Sequence, residues 1–418
     1  MNRSILSLIS ALIVAHSSIA QEAKSAILFI GDGMGVAQTT AARIYKGNAR
    51  DGELTLDTLE NVALMRTYSA DTMVTDSGAA GTAMATGHKT NTRMIGQTPD
   101  GTALQSIIKM AKTQGKSVGI VSNTTITHAT PASFYASGPS RYDEASFAEQ
   151  LIEYGEIDVI LGGGREFFIP RESEDPENGG RGARKDKRNL IDEAKAKGYT
   201  FIGRSSEMSS AGDGKILGLF SPGMMSYELS RENDKWGEPS LEEMTRFAIE
   251  RLSKNPKGFL LMVEGGRIDH ASHGNRGLHT VVEVIELDEA VKASLDLTHE
   301  ANDTLIVVTA DHETGGMAIN GYGEIDLEGT EMFKARVIIG GEHIITYATG
   351  PGADPESNGD RAKDDPGYKQ PAVVPMSSAA HTGVDVIAYA QGPGSNRFRG
   401  TIDNTDIAKN IIATLGLE

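Results

Sequence analysis

The stretch "GFLLMVEGGRIDHASH", Gly258 to His273, changes character in its middle. An apolar run of strand length ends in Glu264 and two glycines, and a segment carrying Asp269, His270 and His273 follows. The same switch recurs along the chain. "AILFI" (26–30) runs into "GDGMG", "SVGIVSN" (117–123) into "TTITHAT", and "TLIVVTADHE" (304–313) carries its acid and histidine at its end. "IDVILGGG" (157–164) closes in glycines alone. Short apolar runs alternating with helix-like stretches predict an α/β protein with a largely parallel sheet. In such sheets ligands gather outside the carboxyl ends of the strands. Four of these five ends carry Asp, Glu, His or Thr, where a sheet needing only turns would use Gly, Asn and Pro.

The 418 residues suffice for one large domain or two, and 39% hydrophobic content can bury a substantial core. Residues 1–20 read as a secretory signal: Arg3, an apolar run from Ile5 to Ala15, then small residues up to cleavage after Ala20. The chain is therefore expected to be exported, to the periplasm or beyond the cell, with no membrane span. It has no cysteine, so its stability must come from a core, bound metal or an oligomer interface. A net charge of −17 argues against a nucleic-acid partner. Bound divalent cations would neutralise part of it. Glu172 to Arg188 reads as a surface loop whose basic end is a solvated face. Asn320 to Ser378, rich in Gly, Pro and charge, reads as an insertion forming a small subdomain.

Each polar motif has a plain reading beside a chemical one. In "TDSGAAGTAMATGHKT" (75–90), Ser77 either caps a small-residue helix or is a nucleophile given an uncrowded approach and helix N–H groups. Asp269 and His273 lie one helical turn apart, which suits an exposed i,i+4 contact or a zinc pair. Asp311 and His312 can reach one metal only if the backbone turns, which "ETGG" permits. Asp32 in "GDGMG" lacks the full GxGxxG spacing and would repel a pyrophosphate, so a metal fits it better. His381, Thr130 and Arg141 are by themselves an ordinary histidine, a turn residue and a surface arginine.

In their order along the chain these pieces together resemble the alkaline phosphatase family, from about Ala26 to Leu417. The resemblance implies a three-layer α/β/α sandwich around a mixed, mainly parallel sheet, covering residues 21–418, with 320–378 as a crown-like insertion. It implies hydrolysis of phosphate monoesters, with Ser77 as the nucleophile that becomes phosphorylated and inorganic phosphate as product. Asp269, His273 and His381 match the ligands of one zinc; Asp311, His312 and Asp32 match those of a second. Asp32, Thr130 and Glu264 match a magnesium site, Arg141 the arginine that clamps phosphate, and Asp76 its orienting partner. A homodimer is also implied.

Near the magnesium site, His128 and His270 stand where the enteric bacterial type carries Asp and Lys, as in the animal type, which leaves zinc or magnesium open there. "LGLFSPGMM" and "EPSLEEM" resemble the neighbourhood of the animal type's calcium site, but Ser221 stands where an acidic ligand is expected, which leaves a calcium site open. A phosphodiesterase of the same superfamily would have no use for Arg141. A sulfatase would need a Ser-x-Pro-x-Arg segment that is absent, and a secreted metal-binding non-enzyme would not explain the serine and arginine.

Overall fold

The computed structural model describes residues 23–47, 51–177, 179–320, 345–362 and 365–418. The expected signal at 1–20 and the segment 321–344 of the expected insertion lie outside them. β1 (Ser25–Ile30), β2 (Asn61–Arg66), β3 (Ser117–Thr125), β4 (Val159–Gly163), β5 (Tyr199–Ile202), β6 (Lys215–Leu219), β7 (Phe259–Glu264) and β8 (Thr304–Thr309) belong to one sheet. Five short strands follow: β9 (Glu313–Thr314), β10 (Ala318–Ile319), β11 (Ile345–Gly350), β12 (Ala372–Pro375) and β13 (His381–Thr382). β14 (Val386–Gln391) and β15 (Gly400–Asp403) rejoin the sheet, whose ten strands run in the order β15-β2-β14-β8-β1-β7-β3-β4-β6-β5. All its pairings are parallel except those of β14 with β2 and β8. Helices cover both faces, giving the mixed, mainly parallel three-layer fold expected from the sequence.

Every residue of β1, β7 and β8 is buried. That is why these strands read as unbroken apolar runs: a parallel strand covered on both faces has no polar side to show. Their register aligns their ends. Ile30 pairs with Glu264 on one side and Thr309 on the other, and Ser122 of β3 pairs with Glu264. Asp32, Glu264, Asp311 and the segment leading to Thr130 therefore leave one edge from four adjacent strands, β8-β1-β7-β3.

The Ser77–Thr86 helix is buried at all ten positions, and Asp76 is its N-cap. The capping reading of Ser77 is thus corrected: Ser77 is the first helical residue. A methyl group on Gly81 would sit 2.9 Å from Ser133 Oγ, so the small residues of this helix allow its close packing on the Ala129–Ala132 turn. Antiparallel pairing of β9 with β13 sets His381 opposite Thr314 and Thr382 opposite Glu313. The described parts of 320–378 contribute β11 and β12, which form a three-stranded sheet with β10.

The loop 172–188 departs from expectation. Arg184 is buried rather than solvated, donating to the carbonyls of Ala145 and Phe167 and pairing with Asp186. Within the same loop Asp175 accepts both 2.7 Å and 2.9 Å bonds from Nε of the fully buried Arg165, which also donates to Leu219 O. The charge in this loop thus pins it to the domain. Removing one partner of a buried pair strands the other charge. Asp175→Ala is therefore expected to lower unfolding free energy by about 3–5 kcal/mol in denaturant melts; a loss below about 1 kcal/mol would contradict the pinning.

Candidate active site

The N-cap Asp76 has both carboxylate oxygens occupied. Oδ1 accepts from the backbone N–H groups of Ala79 (3.2 Å) and Arg93 (2.9 Å), and Oδ2 accepts from Arg141 Nη1 at 2.9 Å. Burial raises the Asp76 pKa, but Arg141 and these N–H groups outweigh it, and the carboxyl lies below its usual range. The Arg141 guanidinium reaches 3.4 Å from Ser77 Oγ, and His312 Nε2 lies 3.4 Å from the same oxygen. Ser77, Asp76, Arg141, His128, His273 and His381 border a cavity of about 620 Å³.

Behind the serine, three groups of side chains converge: Asp269 with His273 and His381, Asp32 with Asp311 and His312, and Asp32 with His128 and Glu264. His273 Nδ1 faces Ala379 O at 2.5 Å and His381 Nδ1 faces Thr75 O at 3.0 Å. Carbonyl oxygens only accept, so both Nδ1 atoms carry a proton. Burial lowers the His381 pKa and leaves its Nε2 bare, whereas Asp269 outweighs burial at His273 and raises its pKa. The two Nε2 atoms face one another at 3.2 Å, with Asp269 Oδ2 3.2 Å from His273 Nε2.

His312 repeats the arrangement through a residue the sequence reading missed. Thr314 Oγ1 gives its only proton to Asp269 Oδ1 at 2.5 Å, so its 3.3 Å contact with His312 Nδ1 has the ring as donor. His312 Nε2 is then bare as well, 3.2 Å from Asp311 Oδ2 and 3.6 Å from Asp32 Oδ1. Lone pairs and carboxylate oxygens aimed at one another repel until a cation sits among them.

The unpartnered buried atoms agree. Asp32 Oδ1, Asp311 Oδ2 and Glu264 Oε1 have no hydrogen-bond partner among the described residues. Burial, followed by repulsion from Asp311, Asp269 and Glu264, pushes Asp32 well above the usual carboxylate range. Burial and Asp269 push Asp311 up to about 7. Burial and the neighbouring His381 push His312 well down. The donor set, neutral imidazoles with carboxylates, fits divalent metals.

The third group differs in kind. Arg141 Nη2 lies 3.1 Å from His128 Nε2, and guanidinium nitrogens only donate, so the one lone pair of a neutral His128 is already used. Its Nδ1–H faces Glu264 Oε1 at 3.8 Å. Asp32, Glu264 and the Thr130 hydroxyl, 3.5 Å from Asp32 Oδ2, leave oxygen donors alone. Glu264 is steadied by Thr124 Oγ1 at 3.0 Å and by Ser122. His270 takes a 2.9 Å bond from Arg267 on Nδ1, and burial and that arginine lower its pKa to about 3.

Beneath these groups lies Glu313, which no sequence motif singled out. It is buried and accepts from Gln38 Nε2 (2.8 Å), Met317 N (3.0 Å), Gly316 N (3.1 Å) and Thr382 Oγ1 (2.5 Å). One carboxylate thus ties the residue after His312 to the residue after His381 and to the helix that follows Asp32. A methyl group on Gly35 would lie 2.2 Å from Glu313 Cγ, which accounts for the last glycine of "GDGMG". The only signal in the sequence was a lone acid beside a glycine pair. Glu313→Ala strands four donors, and the metal-free protein is expected to lose about 2–4 kcal/mol of unfolding free energy. A loss under about 0.5 kcal/mol in chelator-containing melts would contradict the tie.

The family model described as alkaline phosphatase matches residues 23–417. The alkaline phosphatase of Gadus morhua is 36% identical, covering 91% of this chain and 89% of its own. Alkaline phosphatase 4 of Bacillus subtilis (strain 168) is 34% identical, over 94% and 89%. Among solved structures, Thermus thermophilus alkaline phosphatase superposes with a TM-score of 0.77 at 29% identity, covering 99% of this chain and 96% of its own. A variant of the enzyme from the Antarctic bacterium TAB5, with magnesium bound in its M3 site, gives 0.73 at 27%, covering 96% and 99%. The chain belongs to the alkaline phosphatase family and is a phosphate-monoester hydrolase.

Proposed function

We propose that phosphate monoesters are hydrolysed here through a covalent phosphoserine on Ser77. The observation that carries this reading is the meeting of Arg141 and His312 at Ser77 Oγ, each at 3.4 Å, at the floor of an open cavity. Asp269, His273 and His381 would hold one zinc, and Asp32, Asp311 and His312 a second. Asp32, Glu264 and Thr130 would hold magnesium, since oxygen donors suit that ion and the His128 lone pair is engaged by Arg141. The TAB5 variants with magnesium bound in the M3 site carry Glu or Asp in place of a histidine, whereas this chain keeps His128 beside Asp32 and Glu264, so zinc is the alternative occupant of this third site. Bound there, the divalent cations supply Lewis-acid stabilisation of the entering and leaving oxygens and lower the proton affinity of the serine and of water.

The residues of the chain do the rest. The planar fork of Arg141 binds two non-bridging phosphate oxygens, and Asp76 fixes its orientation from the helix cap. Ser77 Oγ, at the first position of the helix, forms the new bond to phosphorus as the ester P–O bond breaks. The alcohol leaves with that electron pair and takes up a proton. Helix N–H groups behind Ser77 favour the phosphate charge. Water then attacks the phosphoserine, inorganic phosphate departs, and Ser77 regains its proton. His270, kept neutral, borders the same cavity.

The same proposal makes the chain an exported homodimer that begins at Gln21 and acts in the periplasm or outside the cell. Residues 320–378 form its crown-like insertion.

Ser77→Ala is expected to abolish incorporation of labelled phosphate into protein while the metal content stays the same; normal turnover in that variant would end the nucleophile assignment. Arg141→Ala is expected to cut kcat/KM on p-nitrophenyl phosphate by about 10², and less on the bis-p-nitrophenyl diester, which has one ionised oxygen fewer to clamp. Equal losses on the two substrates would remove Arg141 from phosphate recognition.

A further inference from the structure

The loop that supports Asp76 contains an anomaly. Arg93 has φ +72°, in the left-handed region that glycine favours and a long side chain avoids. Its backbone explains the shape. Its N–H donates to Asp76 Oδ1 at 2.9 Å, and its carbonyl accepts from Arg141 N at 2.8 Å. A glycine would make both bonds without strain. The arginine side chain contributes nothing to either.

That side chain borders the cavity above Ser77 and is exposed. Among the described residues its guanidinium makes no hydrogen bond or ion pair. Arg141, the neighbouring cation, is paired with Asp76 and turned to Ser77. In a chain of net charge −17, an unpaired cation held beside the reaction site in an unfavourable backbone conformation has the mark of a functional residue. Tyr142, 71% exposed at the same rim, leaves the approach to Arg93 partly aromatic and open to solvent.

We infer that Arg93 is a specificity-determining residue that binds a second anionic group on the substrate, favouring phosphate monoesters whose alcohol portion carries a carboxylate or another phosphate. The inference rests on the monoesterase reading above. The phosphate being transferred occupies Arg141 and Ser77, and the leaving portion extends toward the rim, where Arg93 meets its charge. Because the contact is exposed, added salt weakens it. Because it is made to a part of the substrate that does not react, it acts mainly on KM.

Glycerol 3-phosphate and 3-phosphoglycerate form a matched pair, differing by a hydroxymethyl against a carboxylate. The ratio of kcat/KM for 3-phosphoglycerate over glycerol 3-phosphate is measured for the full protein loaded with zinc and magnesium, and for Arg93→Gly and Arg93→Asn. Both replacements accept a left-handed backbone, so the loop is retained. The expected result is a ratio about 3–10-fold lower in both variants, carried by KM, with the wild-type ratio falling as salt is added. The melting temperature of Arg93→Gly should equal or exceed that of wild type. A ratio unchanged within twofold in both variants overturns the role of Arg93 while leaving the monoesterase reading intact. Failure of the wild-type protein to hydrolyse either compound or p-nitrophenyl phosphate overturns both.

Discussion

The constraint on which the structure turns is the burial of like-charged groups. Asp32, Asp311 and Glu264 are fully buried and Asp269 nearly so, and His312 and His381 beside them present bare nitrogen lone pairs. Among the described residues no lysine or arginine pairs with Asp32, Asp311 or Glu264. Arg141 lies at the border of this set, and Asp76 and His128 each take one N–H of its two terminal nitrogens, which leaves the others for a ligand. An isolated charge in such surroundings costs several kcal/mol, so carboxylates of this kind either protonate or hold cations. The raised pKa values of Asp32 and Asp311 express the first outcome, and metal binding is the second.

The fold concentrates these groups by register rather than by sequence proximity. Four adjacent strand ends deliver three carboxylates and the segment of Thr130, and the helix after β7 adds Asp269 and His273. The β9–β13 ribbon returns the chain so that His381 stacks on His312, with ring centroids 3.6 Å apart. Thr314 and Glu313 then set the details. Thr314 links Asp269 to His312, and Glu313 fastens the ribbon to the helix after Asp32. Rigid strand termini, cross-linked by buried hydrogen bonds, hold a constellation of this precision better than loops would.

Much of this was legible in the sequence because the chemistry sits where the polarity changes abruptly. Glu264 after "FLLMV" and Asp311-His312 after "LIVVTA" are conspicuous against apolar strands, and the small residues around Ser77 announce close packing. The supporting residues were not legible. Ser122, Thr124, Thr314 and Glu313 are common polar residues whose importance lies in which atom they face. Arg184 was misread for the same reason: its burial depends on carbonyls of Ala145 and Phe167, distant in sequence. The left-handed backbone at Arg93 leaves no trace in the sequence, because the residue found there is not the one the conformation favours.

Metal stoichiometry tests the central claim most directly. Protein purified with zinc and magnesium, dialysed and measured by plasma mass spectrometry, should hold two zinc ions and one magnesium ion per chain. Asp32→Ala, which removes the carboxylate common to two of the three groups, should lose metal from both. A wild-type chain that retains one metal or none, or an Asp32→Ala variant with its full complement, would contradict the account.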